Sequence, residues 1–424
     1  MKSWITPFPV ALPIQQDRLQ LFDTATQQKT RITVQDNHAT MYVCGITPYD
    51  ATHLGHANTY VAFDLLYRYW IAAGYRVTYT QNVTDVDDPL FERANDMGVD
   101  YQELSQDQTD LFRSDMQHLN VLAPSHYLGV SETVDWIRTL VRQMVDAGVA
   151  YEVPGDADHP DGDIYFSIDA AEARTDWRLG SIGAHSLAEM QEFFPERGGD
   201  PDRPGKQNPL DPLIWSARRD GEPYWHDDVL GEGRPGWHVE CSAIAHHTLP
   251  VPFTVQGGGS DLRFPHHEFS AAHATSVTNK PMSQHYVHAG MVGLDGVKMS
   301  KSLGNLELVS NLVKRGESPA AIRTLLLDHH YRSDWSYTDE KLQAAATRLE
   351  TWRNALACEQ HGDAENLIQD IFAGLSDDLD APTALRAVDQ WAQRATDRNQ
   401  PRANDLASIN VVIVLDALLG IKLY

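Results

Sequence analysis

Thr40-Met41-Tyr42-Val43-Cys44-Gly45-Ile46-Thr47, closed by Pro48 and followed by His53-Leu54-Gly55-His56, is the stretch on which the fold turns. Its β-branched and aromatic residues form one short apolar run, which predicts a buried strand. Val61, Leu65, Leu66, Tyr69 and Trp70 then recur at helical spacing between His56 and Ala73, with Gly74 as the expected stop. A second strand is expected over Tyr75 to Thr80, leading into Asn82-Val83-Thr84-Asp85-Val86-Asp87-Asp88. Strand, helix and strand in succession make the β-α-β unit of a parallel sheet, whose strand ends form a ligand crevice. Cys44, His53, His56 and Thr84 are predicted to lie on its rim.

Outward from this unit, Met1 to Pro13 carries three prolines and reads as an extended arm. Helical periodicity runs from Tyr101 to Gly148. The texture then changes to Gly, Pro and Asp from Pro154 to Pro235, with a strand-like run at Asp163 to Ile168, and reads as an insertion between two halves of the sheet. Val251 to Gln256 and His285 to His288 are the later strands, the second feeding Lys298-Met299-Ser300-Lys301-Ser302. Beyond Trp335 the pattern is helical, over Leu342 to Leu356, Ala384 to Ala395 and Ile409 to Leu419, with Asp380 as a helix cap before Pro382. The expected architecture is α/β: a doubly wound, Rossmann-like parallel sheet with an insertion and a C-terminal helical bundle. Its expected divisions are 1–110 and 236–305 for the two halves of the sheet, 111–235 for the insertion and 306–424 for the bundle.

A chain of 424 residues exceeds what one core holds, so several domains are expected. With 59 acidic against 34 basic side chains the formal charge is -25, which repels a polyanion unless a local basic face exists. From Glu340 to Tyr424 there are 8 basic and 13 acidic residues and no basic stripe suited to RNA. Three scattered cysteines make no disulfide framework, no basic segment with an apolar stretch opens the chain, and no run reaches the ~20 apolar residues that cross a bilayer. A cytoplasmic protein without membrane contact is expected.

Two histidines opening a helix and two lysines on a short loop can hold the phosphates of ATP from opposite sides. Alone, the first motif reads as a helix start and the second as a solvated basic loop, but in this order they reinforce each other. By spacing alone Cys44, Cys241 and His266 make no zinc finger and read as buried groups, and Cys358 reads as packing inside a helix. Glu196-Arg197-Gly198-Gly199-Asp200-Pro201 reads blind as a Gly-Gly turn on a surface loop.

Together the histidine and lysine motifs resemble the signature pair of class I aminoacyl-tRNA synthetases. YVCGITPYDATHLGHA from Tyr42, NVTDVDDP from Asn82, GRPGWHVECSA from Gly233, GGGSDLRFPHHE from Gly257 and KMSKSLGN from Lys298 are similar to the cysteine-activating branch of that class, over about 300 residues. The resemblance implies that cysteine and ATP, with Mg2+, form cysteinyl-AMP and release pyrophosphate. It implies one Zn2+ on Cys44, Cys241 and His266 to bind the substrate thiolate, and catalytic roles for His53, His56, Lys298 and Lys301. Contacts to nucleotide and amino acid are implied at Cys44, Gly45, Ile46, Thr47, Thr59, Asn82, Val83, Thr84, Trp237, Gly259, Ser260, Asp261 and Val292.

Two departures separate the chain from cysteinyl-tRNA synthetase. Ser270 stands where that family has a glutamate as fourth zinc ligand, and the C-terminal region lacks a basic anticodon-binding domain. Glu196, Arg197, Gly198, Gly199, Asp200 and Pro201 resemble a signature of the mycothiol-pathway ligases, relatives that join L-cysteine to the amino group of glucosaminyl-inositol. That resemblance implies an acceptor-binding role for these six residues, small-molecule substrates, no tRNA and a monomer. The alternatives are a truncated cysteinyl-tRNA synthetase and an idle paralogue acting as a binding module, the latter disfavoured by the intact phosphate motifs.

Overall fold

The computed structural model describes residues 1–12, 18–49, 52–155, 162–299, 305–358, 364–396 and 406–424. At its centre lie five parallel strands: β1 (His38–Val43), β2 (Arg76–Val83), β3 (His126–Gly129), β4 (Phe253–Gly259) and β5 (Ser283–Ala289). Their order across the sheet is β5-β4-β1-β2-β3, with Met41 opposite Tyr79 on one side and Val255 on the other. The winding direction reverses between β1 and β4, so the loops at their carboxyl ends diverge and leave a crevice. Burial on both faces explains why β1 reads as a continuous apolar run.

Helix α1 (Leu54–Ala72) links β1 to β2 and is buried along nearly its whole length. It packs closely enough on β4 that a side chain at Gly257 would meet the Phe63 ring at 2.4 Å. Gly74, at φ +85, takes a left-handed turn that favours glycine just after the helix.

The Tyr101–Gly148 segment departs from the continuous helical reading. It holds helix Tyr101–His118, then β3, then helix Val134–Asp146. The expected boundary at 110/111 falls inside the first helix, and β3 is the edge strand of the central sheet rather than part of the insertion. Four residues with only Tyr127 and Gly129 buried carry too little pattern to outweigh the flanking helical periods. The inserted sheet itself is antiparallel, in the order Ala150–Val153, Asp163–Phe166, Leu213–Ala217, Gly231–Pro235, Trp225–Asp227. Helix Leu187–Glu196 accompanies it, started by a reciprocal Ser186–Glu189 capping box.

The C-terminal region is helical, as expected, and includes Asp339–Leu356, Ala364–Ser376, Ala381–Thr396 and Leu406–Leu419. Asp380 caps the third of these, accepting the Thr383 amide at 3.0 Å. Cys358 lies just beyond the first, half-buried, not within it as expected. No described helix is long and apolar enough to cross a membrane.

One buried ionic hub joins these parts. Asp64, on α1, accepts Arg68 Nε at 2.6 Å, the Leu122 amide at 2.7 Å and Arg323 Nη2. The two guanidinium groups also reach the carbonyls of Leu119, Asn120, Asp416 and Leu419. Burial alone would raise the Asp64 carboxyl, but Arg68, Arg323 and the Leu122 amide outweigh it and hold the group below the ordinary carboxylate range. Its contribution is therefore present in full above the unfolded carboxylate pKa and is withdrawn as pH falls through the lower folded value. Asp64→Asn leaves buried Arg323 without its ion-pair partner and Arg68 with only the more distant Asp416 at 3.9 Å, and should cost roughly 3 to 5 kcal/mol at neutral pH. Denaturant titrations of parent and variant should show that gap shrinking toward acid; a loss under ~1 kcal/mol at neutral pH would remove the hub from this role.

Candidate active site

The crevice at the sheet's switch point holds a cavity of about 360 Å³. Its wall combines the loop after β1, the start of α1, the turn after β4 and the residues on either side of 300–304, with Met299 and Leu306 among the lining groups. The loop after β1 runs unusually close to the end of β2. Gly45 donates its amide to Asn82 Oδ1 at 2.9 Å, and the Thr84 amide donates to the Ile46 carbonyl at 3.0 Å. A Cβ on Gly45 would lie 1.6 Å from the Asn82 carbonyl oxygen, so only glycine permits this approach.

Beneath the cavity three segments converge. Cys44 ends β1, Cys241 lies on helix α2 (Trp237–Thr248) and His266 begins helix α3 (His266–Thr278). All three are buried and their ligand atoms lie within 4.8 Å of one another, the group among the described residues able to hold a metal ion. Cys44 Sγ is 3.5 Å from Cys241 Sγ, and Cys241 Sγ is 3.2 Å from His266 Nε2. Two thiolates at ~2.3 Å from one zinc sit roughly 3.8 Å apart in tetrahedral geometry, so the spacing fits, as does a donor set of two sulfurs and one imidazole nitrogen. Burial opposes ionisation of Cys241, but the Cys44 thiol and His266 outweigh it and hold Cys241 well below the ordinary thiol range. Burial, with Cys241 beside it, pushes the Cys44 thiol up.

The imidazole is held from behind. His266 Nδ1 is 3.2 Å from His238 Nδ1, which leaves Nε2 facing Cys241, and the Trp237 ring stacks on it at 4.5 Å. On the other ligand, His267 Nε2 lies 3.2 Å from Cys44 Sγ and Gln256 Nε2 donates to that sulfur at 3.4 Å. Such orienting partners normally accompany metal ligands. Ser270 donates to the His266 carbonyl at 2.7 Å and to the His238 carbonyl at 3.1 Å, while Glu268 accepts the Ile182 and Gly183 amides and the Trp177 indole. Neither side chain joins the sulfur and imidazole cluster.

His53 caps α1, accepting the Gly55 amide at 3.1 Å, and its ring stacks on His56 with centroids 3.8 Å apart. Both line the cavity. Burial lowers His53 to about 4, and burial plus the neighbouring His53 holds His56 well below its ordinary value, so both are neutral at physiological pH. The backbone of Lys298 pairs with Gly293, and Lys301 lies outside the described residues.

Of the nucleotide and amino-acid residues expected, Cys44, Gly45, Ile46, Thr47, Thr59, Trp237, Gly259 and Asp261 line the cavity. Asn82, Val83 and Thr84 lie buried one layer below, where Asn82 braces Gly45 and Thr84. Ser260 and Val292 stand beside lining residues without lining it themselves. Tyr49, Tyr60, Leu262, Gly290 and Met291 line it without having been anticipated; only their neighbourhood to the motifs could have pointed to them.

The Glu196–Pro201 loop does not line this cavity. Gly199, Asp200 and Pro201 border a second one of about 640 Å³, together with Asp88, Asp163, Tyr165, Arg203, Arg219 and Arg234. Asp200 accepts the Tyr165 hydroxyl and Lys206 Nζ, and Arg197 donates to carbonyls of the turn after β4. Of the six residues expected to face an acceptor, Arg197 has its guanidinium engaged with the protein through Nη1.

Residues 30–347 match the family described as tRNA synthetases class I (C) catalytic domain. The chain is 57% identical over 423 residues to the L-cysteine:1D-myo-inositol 2-amino-2-deoxy-alpha-D-glucopyranoside ligase of Micrococcus luteus, with both chains covered completely. The Streptomyces coelicolor ligase of the same name is 51% identical over 426 residues, again at complete coverage. Among solved structures, Mycobacterium tuberculosis methionyl-tRNA synthetase bound by methionyl-adenylate superposes with a TM-score of 0.64 at 15% identity, covering 90% of this chain and 92% of that one. At that identity the likeness concerns the fold.

Because Gly45 sets the spacing of the whole crevice, Gly45→Ala should keep secondary structure, by circular dichroism, while displacing Cys44. Bound metal per chain should fall by more than half and catalysis by about 100-fold or more, as for ~1 Å misplacement of reacting groups. Parental metal content and activity in this variant would show that the loop can yield.

Proposed function

Because the chain belongs to the class I (C) tRNA synthetase family and, within it, to the L-cysteine:1D-myo-inositol 2-amino-2-deoxy-α-D-glucopyranoside ligases, we propose that it joins cysteine to the amino group of glucosaminyl-inositol at the expense of ATP. The observation that carries this reading is the buried Cys44, Cys241 and His266 cluster directly beneath the His53 and His56 cavity. It is the step of mycothiol biosynthesis that yields an amide, AMP and pyrophosphate.

In the first half-reaction the cysteine carboxylate attacks the α-phosphorus of ATP and pyrophosphate leaves. Neutral His53 and His56 donate hydrogen bonds to the phosphates from the α1 end, and Lys298 and Lys301 neutralise them from the opposite loop, with Mg2+ accompanying the nucleotide. Catalysis of this kind rests on positioning and electrostatics rather than on covalent chemistry by the protein. Gly259 and Asp261 face the adenosine side, with Ser260 beside them and the backbone near Val292 toward the adenine.

A zinc ion on Cys44, Cys241 and His266 would supply an open coordination position for the substrate thiolate. Serine offers a hydroxyl that stays protonated at neutral pH and binds such a metal poorly, so selection occurs at the first binding step and no editing site is needed. Trp237 walls the amino-acid pocket and Thr84, with Asn82, holds the floor beneath its amino group. In the second half-reaction the sugar amine attacks the acyl carbonyl and AMP departs. Gly199, Asp200 and Pro201, on the second cavity, are proposed to meet the polyol. The enzyme is further proposed to be a cytoplasmic monomer that does not use tRNA, and the alternative of a truncated cysteinyl-tRNA synthetase is disfavoured by the identities to the ligases along the whole chain.

Cysteine-dependent exchange of pyrophosphate into ATP should run without acceptor, and serine should support less than about one part in a hundred of it. Adding glucosaminyl-inositol should give the amide, whereas tRNA should remain uncharged. Exchange that required tRNA, or that serine supported equally, would overturn the reading.

The ligand set has a separate check. Cys241→Ala should bring zinc, measured by elemental analysis, from one per chain to near zero, and activity should disappear with it. Full zinc occupancy in both Cys44→Ala and Cys241→Ala proteins would remove the metal assignment while leaving adenylation standing.

A further inference from the structure

The Ser260–Arg263 turn, a single 3-10 turn between β4 and α3, carries Asp261 and Leu262 into the catalytic cavity and leads directly to the metal-site residue His266. So short a turn leaves its final carbonyls without helical partners, and something outside it must supply donors. The inserted domain does. Arg197 Nη1 donates to the Asp261 carbonyl at 2.7 Å and also to the Phe264 carbonyl, while its guanidinium rests 4.5 Å over the Phe193 ring.

The grip is reciprocal. Arg263, on the turn, donates through Nε to the Gly183 carbonyl of the insertion at 3.1 Å. Glu268, on α3, accepts the Gly183 amide at 2.7 Å and the Ile182 amide at 3.0 Å. The nucleotide side and the metal side of the site are thus held from one external surface, and one terminal nitrogen of the Arg197 guanidinium serves both carbonyls.

We propose that Arg197 is a positioning residue for adenylate formation: it fixes the turn bearing Asp261 and the approach of His266, so the loop that carries it serves the first half-reaction as well as the second. The inference rests on the activation chemistry proposed above. It also divides the loop in two, with Arg197 directed at the turn and Gly199 to Pro201 directed at the second cavity.

The test compares Arg197→Ala and Arg197→Lys with the parent in pyrophosphate exchange, alongside zinc content and thermal unfolding. Loss of two charge-assisted bonds should lower kcat/KM for cysteine and ATP by roughly 10- to 100-fold in Arg197→Ala. Zinc content should remain parental, the lysine variant should recover part of the loss, and added methylguanidine should recover part of it in the alanine variant. Parental exchange in Arg197→Ala with only amide formation slowed would overturn the proposal and return Arg197 to the acceptor side. Loss of exchange together with unfolding, without recovery by lysine or methylguanidine, would also overturn it by reducing the contact to general support. Absence of exchange in the parent would instead strike the activation reading itself.

Discussion

The structure depends on bringing two thiols and an imidazole from three distant segments into one buried place. Water is excluded there, so each polar group needs a partner inside the protein, or its burial would cost several kcal/mol. The doubly wound sheet solves the problem of convergence, because β1 and β4 end side by side at the reversal of winding and α2 and α3 pack against each other beneath them. Hydrogen bonding then solves the problem of burial. Asn82, His238, His267 and Gln256 each contact a ligand or the backbone next to one, and the cluster becomes a rigid floor for the cavity above.

A second consequence concerns what stands outside the sheet. Helix α1, the Leu119–Leu122 segment before β3 and the C-terminal helices are locked by Asp64 and its two arginines, a connection in which the inserted antiparallel sheet takes no part. The inserted domain instead reaches the site through Arg197, Arg263 and Glu268. The chain therefore supports one half of the crevice through its core and the other through an appended sheet. This arrangement lets the inserted domain bear on the turn that carries Asp261.

Much of this is legible because the site is written in contiguous words. The strand before Cys44, the helix opening at His53, the later strands and the C-terminal helices follow from periodicity and turn residues, which are local properties. The metal group is not legible from spacing, since Cys44 and Cys241 are 197 residues apart, and it requires the resemblance to bring them together. β3 escapes the pattern because a four-residue edge strand between two amphipathic helices carries almost no period of its own. The engagement of Arg197 with the turn after β4 escapes the sequence because its carbonyl partners lie 64 and 67 residues further along. The lining by Tyr49, Gly290 and Met291 is likewise a product of loops meeting across the crevice.

The departure at Ser270 shows how a substitution beside a cluster able to hold a metal can be absorbed. Its hydroxyl donates to the carbonyls of His266 and His238, so it binds the first turn of α3 to the start of α2. The two histidines whose Nδ1 atoms face each other are thereby fixed at the backbone as well as at the ring. A glutamate in that position would bring a second carboxylate into a region where burial already holds Glu268 near a pKa of about 7 and its oxygens are consumed by the insertion. With serine there, two sulfurs and one imidazole make up the cluster able to hold a metal ion, and one shared hydroxyl ties the first turn of α3 to the start of α2.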